Sequence, residues 1–190
     1  MNHGIDSTRQ SGVPQGVVTQ HQHKSTPFFK EEVTHDYWVY VPAQYDPQTP
    51  IGIMVFQDGE KYLSDDWFRA PTVFDNLIHQ KRIPPLIGLF INPGYTEVIG
   101  ADAEATPQRS SMRSYAYDSL GDHYARFLIE EMLPLLSEEY NLADDPDMRA
   151  ICGISSGGIC AFTVAWERPD FFRKVMSHVG SFTNIQGGHT

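Results

Sequence analysis

The stretch Arg149–Asp170, "RAICGISSGGICAFTVAWERPD", decides the fold. A short apolar run gives way to glycines and serines and then to a helical pattern, so strand, sharp turn and helix follow one another. Gly153-Ile154-Ser155-Ser156-Gly157 fits G-x-S-x-G. A nucleophile elbow needs that order of parts, because the glycines let neighbouring backbone pass close to a serine held in a strained conformation. The plainer alternative is a Gly/Ser turn in which the serine caps the helix. In the elbow reading Ser155 is the nucleophile. Ser156 then offers its backbone N–H at the helix amino end, where unpaired donors and the helix dipole favour negative charge. The second oxyanion donor is expected from "FQDGEKY", at Gly59 or Glu60; the competing reading makes Asp58-Gly59 merely a tight turn.

Working outward, strand and helix patterns alternate from Val33 to the end. "THDYWVYVPAQYDP" alternates and is rich in aromatic and β-branched residues, which predicts a strand and a turn. "IGIMVFQDG" and "PLIGLFINPG" are short continuous apolar runs, as strands covered on both faces require. Between them "WFRAPTVFDNLIHQKRIP" has helical spacing and is stopped by Pro84 and Pro85. "DSLGDHYARFLIEEMLPLLSEEYNL" is the clearest helix, with Tyr124, Phe127, Leu128, Met132, Leu135 and Leu136 on one face. Asp118, Ser119 or Asp122 would cap it, and Pro134 would kink it. The segment from Tyr95 to Asp118 has no strong period and reads as a long surface loop. The expected class is α/β: a mostly parallel sheet of the α/β-hydrolase type with helices on both faces, its ligand at the carboxyl ends of the strands.

At 190 residues, 41% hydrophobic and 20% charged, the chain suits one domain with a proper core. Residues 1–32 form a polar arm with room for one strand at "GVVTQHQH"; residues 33–190 form the hydrolase-type domain. The formal charge of -10 and the lack of a basic stripe argue against nucleic acid and an anionic membrane. No run is apolar enough to cross a bilayer and no signal-peptide plan is present, so a soluble chain is expected, its compartment open. His21 and His23 sit two apart on the arm, but no further cluster completes a metal site. Cys152 and Cys160, on a strand and the following helix, are poorly placed for a disulfide and read as buried small hydrophobes.

"DYWVYVPAQYDP", "MVFQDGEKY", "DHYARFLIEEMLPLLSEEYNL" and "AICGISSGGICAFTVAWERPDFFRKVMSHVGSF" together resemble the putative-esterase family of α/β-hydrolases, which contains enterochelin esterases, feruloyl esterases and esterase D. The resemblance runs from about Thr34 to Gly188. It implies a serine hydrolase of small-molecule carboxylic esters with no cofactor, a nucleophile at Ser155 and an oxyanion loop at Gln57–Glu60. Asp58, Tyr62 and Arg113 are the candidates to line the substrate. Where the family often has an acidic residue before the Tyr-Asp pair, this chain has Ala116, which puts an ion pair between that position and Arg113 in doubt.

A serine hydroxyl needs a base, and the base needs a third group to hold it. In this fold both follow the serine in the chain. Only the 35 residues from Ser156 to Thr190 do so here. Glu167 and Asp170 belong at the far end of the helix. His178, late in a strand, and His189, in the terminal "GGHT", are weak base candidates. The expectation is an incomplete sheet whose carboxyl-terminal strands are absent and whose apolar edge needs cover, for instance by a second copy of the chain. An ester hydrolase leads; a non-catalytic binding module or inactive fragment, and an acyltransferase of the same family, are the alternatives.

Overall fold

The computed structural model describes residues 3–29, 31–98 and 108–182. One sheet organises them. Its strands are β1 (Val17–Ser25), β2 (Val33–Val41), β3 (Gly52–Gln57), β4 (Leu86–Ile91), β5 (Tyr95–Val98), β6 (Gln108–Ser111), β7 (Arg149–Ile154) and β8 (Lys174–His178). The order β2-β4-β3-β7-β8 forms the platform, with β1 along the other edge of β2 and the β5–β6 ribbon joined to β2 at Thr34. The sheet is mixed. β4, β3, β7 and β8 are parallel, as their alternation with helices requires, whereas β1, β2, β5 and β6 pair antiparallel.

The helices are α1 (Gly59–Leu63), α2 (Ala70–His79), α3 (Arg113–Tyr117), α4 (His123–Phe127), α5 (Leu133–Ser137) and α6 (Ser156–Glu167). Because successive strand residues point to opposite faces, β3 and β4 feed two cores. Ile53, Val55, Ile87, Leu89 and Ile91 meet Phe127, Leu128, Met132, Ala161 and Val164 on the side of α4 to α6. Phe56 and Phe90, stacked with centroids 4.6 Å apart, meet Phe74 and Ile78 of α2 on the other. Burial on both faces explains why these strands read as unbroken apolar runs.

Three elements differ from the sequence expectation. The segment after Tyr95 is not a featureless loop: β5 and β6 pair from Tyr95↔Ser111 onward and α3 follows directly. The long helix is built from α4, a π turn at Leu128–Met132 and α5. Pro134 has no N–H to give the preceding turn, and the wider turn accommodates that loss. None of the three cap candidates caps α4 through its side chain; Asp118 instead accepts from the Ser114 hydroxyl and the Ser119 hydroxyl donates to the Tyr115 carbonyl.

The polar amino-terminal segment lies against the fold. β1 pairs with β2 along its whole length, and Asn76 of α2 donates to the carbonyls of Asp6 and Thr8. His21 bonds Thr19, and His23 bonds Glu131. At the opposite side, β8 pairs only with β7 among the described residues, and Val175 and Met176 are exposed. No described helix is long and apolar enough to cross a membrane.

Candidate active site

The site is assembled where β3, β4, β7 and β8 end. β7 runs straight into α6, and Gly153 makes that possible: a Cβ there would lie 2.0 Å from the Gly157 carbonyl oxygen. Ser155 occupies the turn at φ 56°, ψ -120°, a region that costs a non-glycine residue about 1–3 kcal/mol. Its side chain makes no capping hydrogen bond to α6. Ser155 is exposed, and its Oγ lies 3.0 Å from Ser181 Oγ. The capping alternative therefore does not describe Ser155.

Both backbone polar groups of Ser155 are held by one turn. Its N–H donates to the His178 carbonyl at 3.0 Å, and its carbonyl accepts from Ser181 N–H at 3.1 Å. Ser156, the first residue of α6, is buried, with its N–H at the helix amino end.

The loop after β3 faces this turn. Asp58, at φ 56°, ψ 48°, precedes α1. Gly59 is wedged against β4, where a Cβ would meet Phe90 and Ile91 backbone at 2.4 Å. From below, Tyr117 Oη accepts the Asp58 N–H at 3.0 Å, and Tyr124 Oη donates to Gln57 Oε1 at 2.6 Å. Both phenols are fully desolvated, which pushes their pKa values well up and keeps them protonated. The two expected oxyanion donors differ in one respect: Glu60 N–H already donates to Asn92 Oδ1 at 3.2 Å.

The other sequence candidates fall in several places. Arg113 is half-exposed and pairs with the buried Asp58 carboxylate through two hydrogen bonds; the acidic partner that Ala116 does not supply comes from the loop after β3. Tyr62 is 2% exposed and sits in the second core, beneath the site and not on its wall. The His178 ring turns to Tyr62, with Nδ1 3.3 Å from Oη, and among the described residues it makes no hydrogen bond to Ser155 Oγ. Glu167 ends α6 and Asp170 is held by Arg168 there, remote from the turn. His189 lies outside the described residues. Cys152 and Cys160 are both free and buried; burial raises the Cys152 thiol to about 11 and pushes the Cys160 thiol well up.

Two residues at the site escaped the sequence reading. Asn92 directly follows β4, in the "FINPG" that ends an apolar run, and Ser181 follows β8 in "VGSF". The available signal was their position just past a strand's carboxyl end, where ligands collect in such sheets.

A mixed sheet covered by helices on both faces, with a serine at the turn from strand to helix, is a fold of the α/β-hydrolase type. Solved structures share it: the enterobactin esterase FES of Shigella flexneri, solved with 2,3-dihydroxy-N-benzoyl-glycine, matches at TM-score 0.66 and 20% identity, over 95% of this chain and 42% of that one. The CE1 ferulic acid esterase AmCE1/Fae1A of Anaeromyces mucronatus matches at TM-score 0.62 and 20% identity, over 87% and 59%. The chain belongs to the putative-esterase family, whose model matches residues 32–184. An uncharacterized protein of Bacillus subtilis (strain 168), YbbA, is 25% identical over 148 residues, 76% of this chain and 56% of the relative. The chain thus spans little more than half the length of that curated relative.

Proposed function

We propose that the chain carries the nucleophile half of a serine carboxylic-ester hydrolase. The observation that supports it most is Ser155: a strained, exposed serine whose hydroxyl is released from helix capping and whose backbone is fixed on both sides. In the reaction Ser155 Oγ attacks the ester carbonyl carbon as its proton passes to a base. The tetrahedral oxyanion is held by Ser156 N–H and by the amide of Gly59 or Glu60 at the start of α1; one such donor is worth about 3 kcal/mol. Collapse breaks the bond to the alcohol, which leaves protonated, and water then releases the carboxylic acid and restores Ser155. The base this reading requires comes from beyond the described residues, since His178 is engaged with Tyr62.

The substrate class we favour is an ester of an aromatic acid. Structural neighbours were solved with 2,3-dihydroxy-N-benzoyl-glycine and with ferulic acid, and exposed Trp67, with the Lys61 ammonium of α1 over its ring, offers an aromatic face. An acyltransferase would use the same acyl-enzyme with an alcohol in place of water. A non-catalytic binding module is the competing reading, and the engagement of His178 away from Ser155 favours it. A fluorophosphonate probe separates them: labelling of the folded protein that disappears in Ser155→Ala supports the hydrolase, and folded protein that is never labelled supports the binding module. Product analysis of a nitrophenyl ester with and without added alcohol distinguishes hydrolysis from transfer.

A further inference from the structure

His178 closes a ring of contacts beneath the nucleophile. Its carbonyl receives the Ser155 amide, and the chain then turns through Val179 at φ 39° so that Ser181 can return a hydrogen bond to Ser155. A β-branched residue at positive φ and a serine at positive φ thus face each other across two backbone bonds. Such conformations persist only where their surroundings over-determine them. The His178 imidazole is held in turn by Tyr62, 3.3 Å from Nδ1 to Oη. Tyr62 is rigid: it is buried, stacked on Phe68 at 4.5 Å and tilted against Phe56 at 4.9 Å. The Cys152 thiol donates to Tyr62 Oη at 3.5 Å, which leaves the phenolic proton free for donation to His178 Nδ1, the arrangement that goes with the Nε2–H tautomer. Cys152 lies on β7, the strand that delivers Ser155, so the path from Cys152 through Tyr62 and His178 returns to the nucleophile.

We propose that His178 is a positioning residue: anchored by the Tyr62 hydroxyl, it keeps its carbonyl under the Ser155 amide and so holds the serine in its strained conformation. The proposal rests on the hydrolase reading only for the identity of Ser155 as nucleophile. It reassigns the one described histidine near the turn from proton acceptor to brace, and it explains why a tyrosine of α1 is buried with its hydroxyl aimed at β8.

The test compares Tyr62→Phe, His178→Leu and His178→Asn by amide hydrogen exchange at Ser155 and by the rate of fluorophosphonate labelling. Losing the Tyr62–His178 hydrogen bond should speed Ser155 amide exchange about tenfold in Tyr62→Phe and His178→Leu. The Val55 and Ile151 amides, deep in the sheet, should stay protected. His178→Asn presents Oδ1 where Nδ1 stood, so it should stay within about threefold of the parent. Labelling rates should follow the same order, and imidazole nitrogen shifts should report loss of the Nε2–H preference in Tyr62→Phe. Unchanged Ser155 protection in Tyr62→Phe and His178→Leu overturns the proposal. So does an Asn variant no better than the Leu variant, or a loss shared equally by Val55 and Ile151. If exchange follows the expected order while the parent is never labelled, the brace stands and the hydrolase reading falls.

Discussion

Arg113 grips Asp58 with both arms of its guanidinium, Nε to Oδ1 at 2.9 Å and Nη2 to Oδ2 at 2.7 Å, across 55 residues of chain. The carboxylate is buried and sits at the head of α1, so the pair fixes the loop that faces Ser155. Removing the cation leaves a buried acceptor without its donor. Arg113→Met should lower stability by about 1–3 kcal/mol, read as a drop in the urea midpoint. Adding Asp58→Asn should recover part of the loss, because asparagine needs no counter-charge and tolerates the left-handed backbone at this position.

Gly153 sets the approach of β7 to α6. A Cβ at this position meets main chain, not a flexible side chain, at 2.0 Å and 2.2 Å, so relief requires the helix to move. Gly153→Ala should destabilise by about 3 kcal/mol, the upper end for overpacking, and should slow Ser155 labelling beyond what the loss of folded protein explains. Gly4→Ala, where a Cβ meets nothing within 4 Å, serves as the control and should leave the thermal midpoint in place.

Asn92 occupies the Glu60 amide, one of the two donors we propose for the oxyanion. Substrate must displace a neutral hydrogen bond of about 0.5–1.5 kcal/mol to reach it. Asn92→Ala should therefore raise the rate of fluorophosphonate labelling by about 2–10-fold. An unchanged rate would assign the second donor to Gly59.

His35 is buried, its ring stacked on Phe127 at 4.5 Å. Desolvation lowers its pKa from 6.5 to about 4, against the opposing hydrogen bond to the Asn92 carbonyl. The folded state therefore binds a proton less readily than the unfolded chain. Its contribution to stability is full above about pH 6.5, is lost progressively as pH falls toward 4, and levels off below that. The loss is on the order of 3 kcal/mol. Denaturation at a series of pH values should show this slope, and His35→Asn, which keeps a donor for the carbonyl but does not titrate, should remove it.

Local order determined much of this protein. The unbroken apolar runs of β3 and β4 follow from burial on two faces, and the strand–turn–helix around Ser155 follows from glycines placed where backbone meets backbone. Buried Cys152 and Cys160 were legible for the same reason. What tertiary structure decided is which distant groups meet. The antiparallel course of β2 and the β5–β6 ribbon depend on hydrogen-bond ladders between strands, not on the period within one. Tyr62 with His178, Arg113 with Asp58, Asn92 with Glu60 and Ser181 with Ser155 are pairs 26 to 116 residues apart. A side chain's hydrogen-bond partner is chosen by whatever the folded chain brings within about 3 Å, and periodicity along the sequence carries no record of that choice.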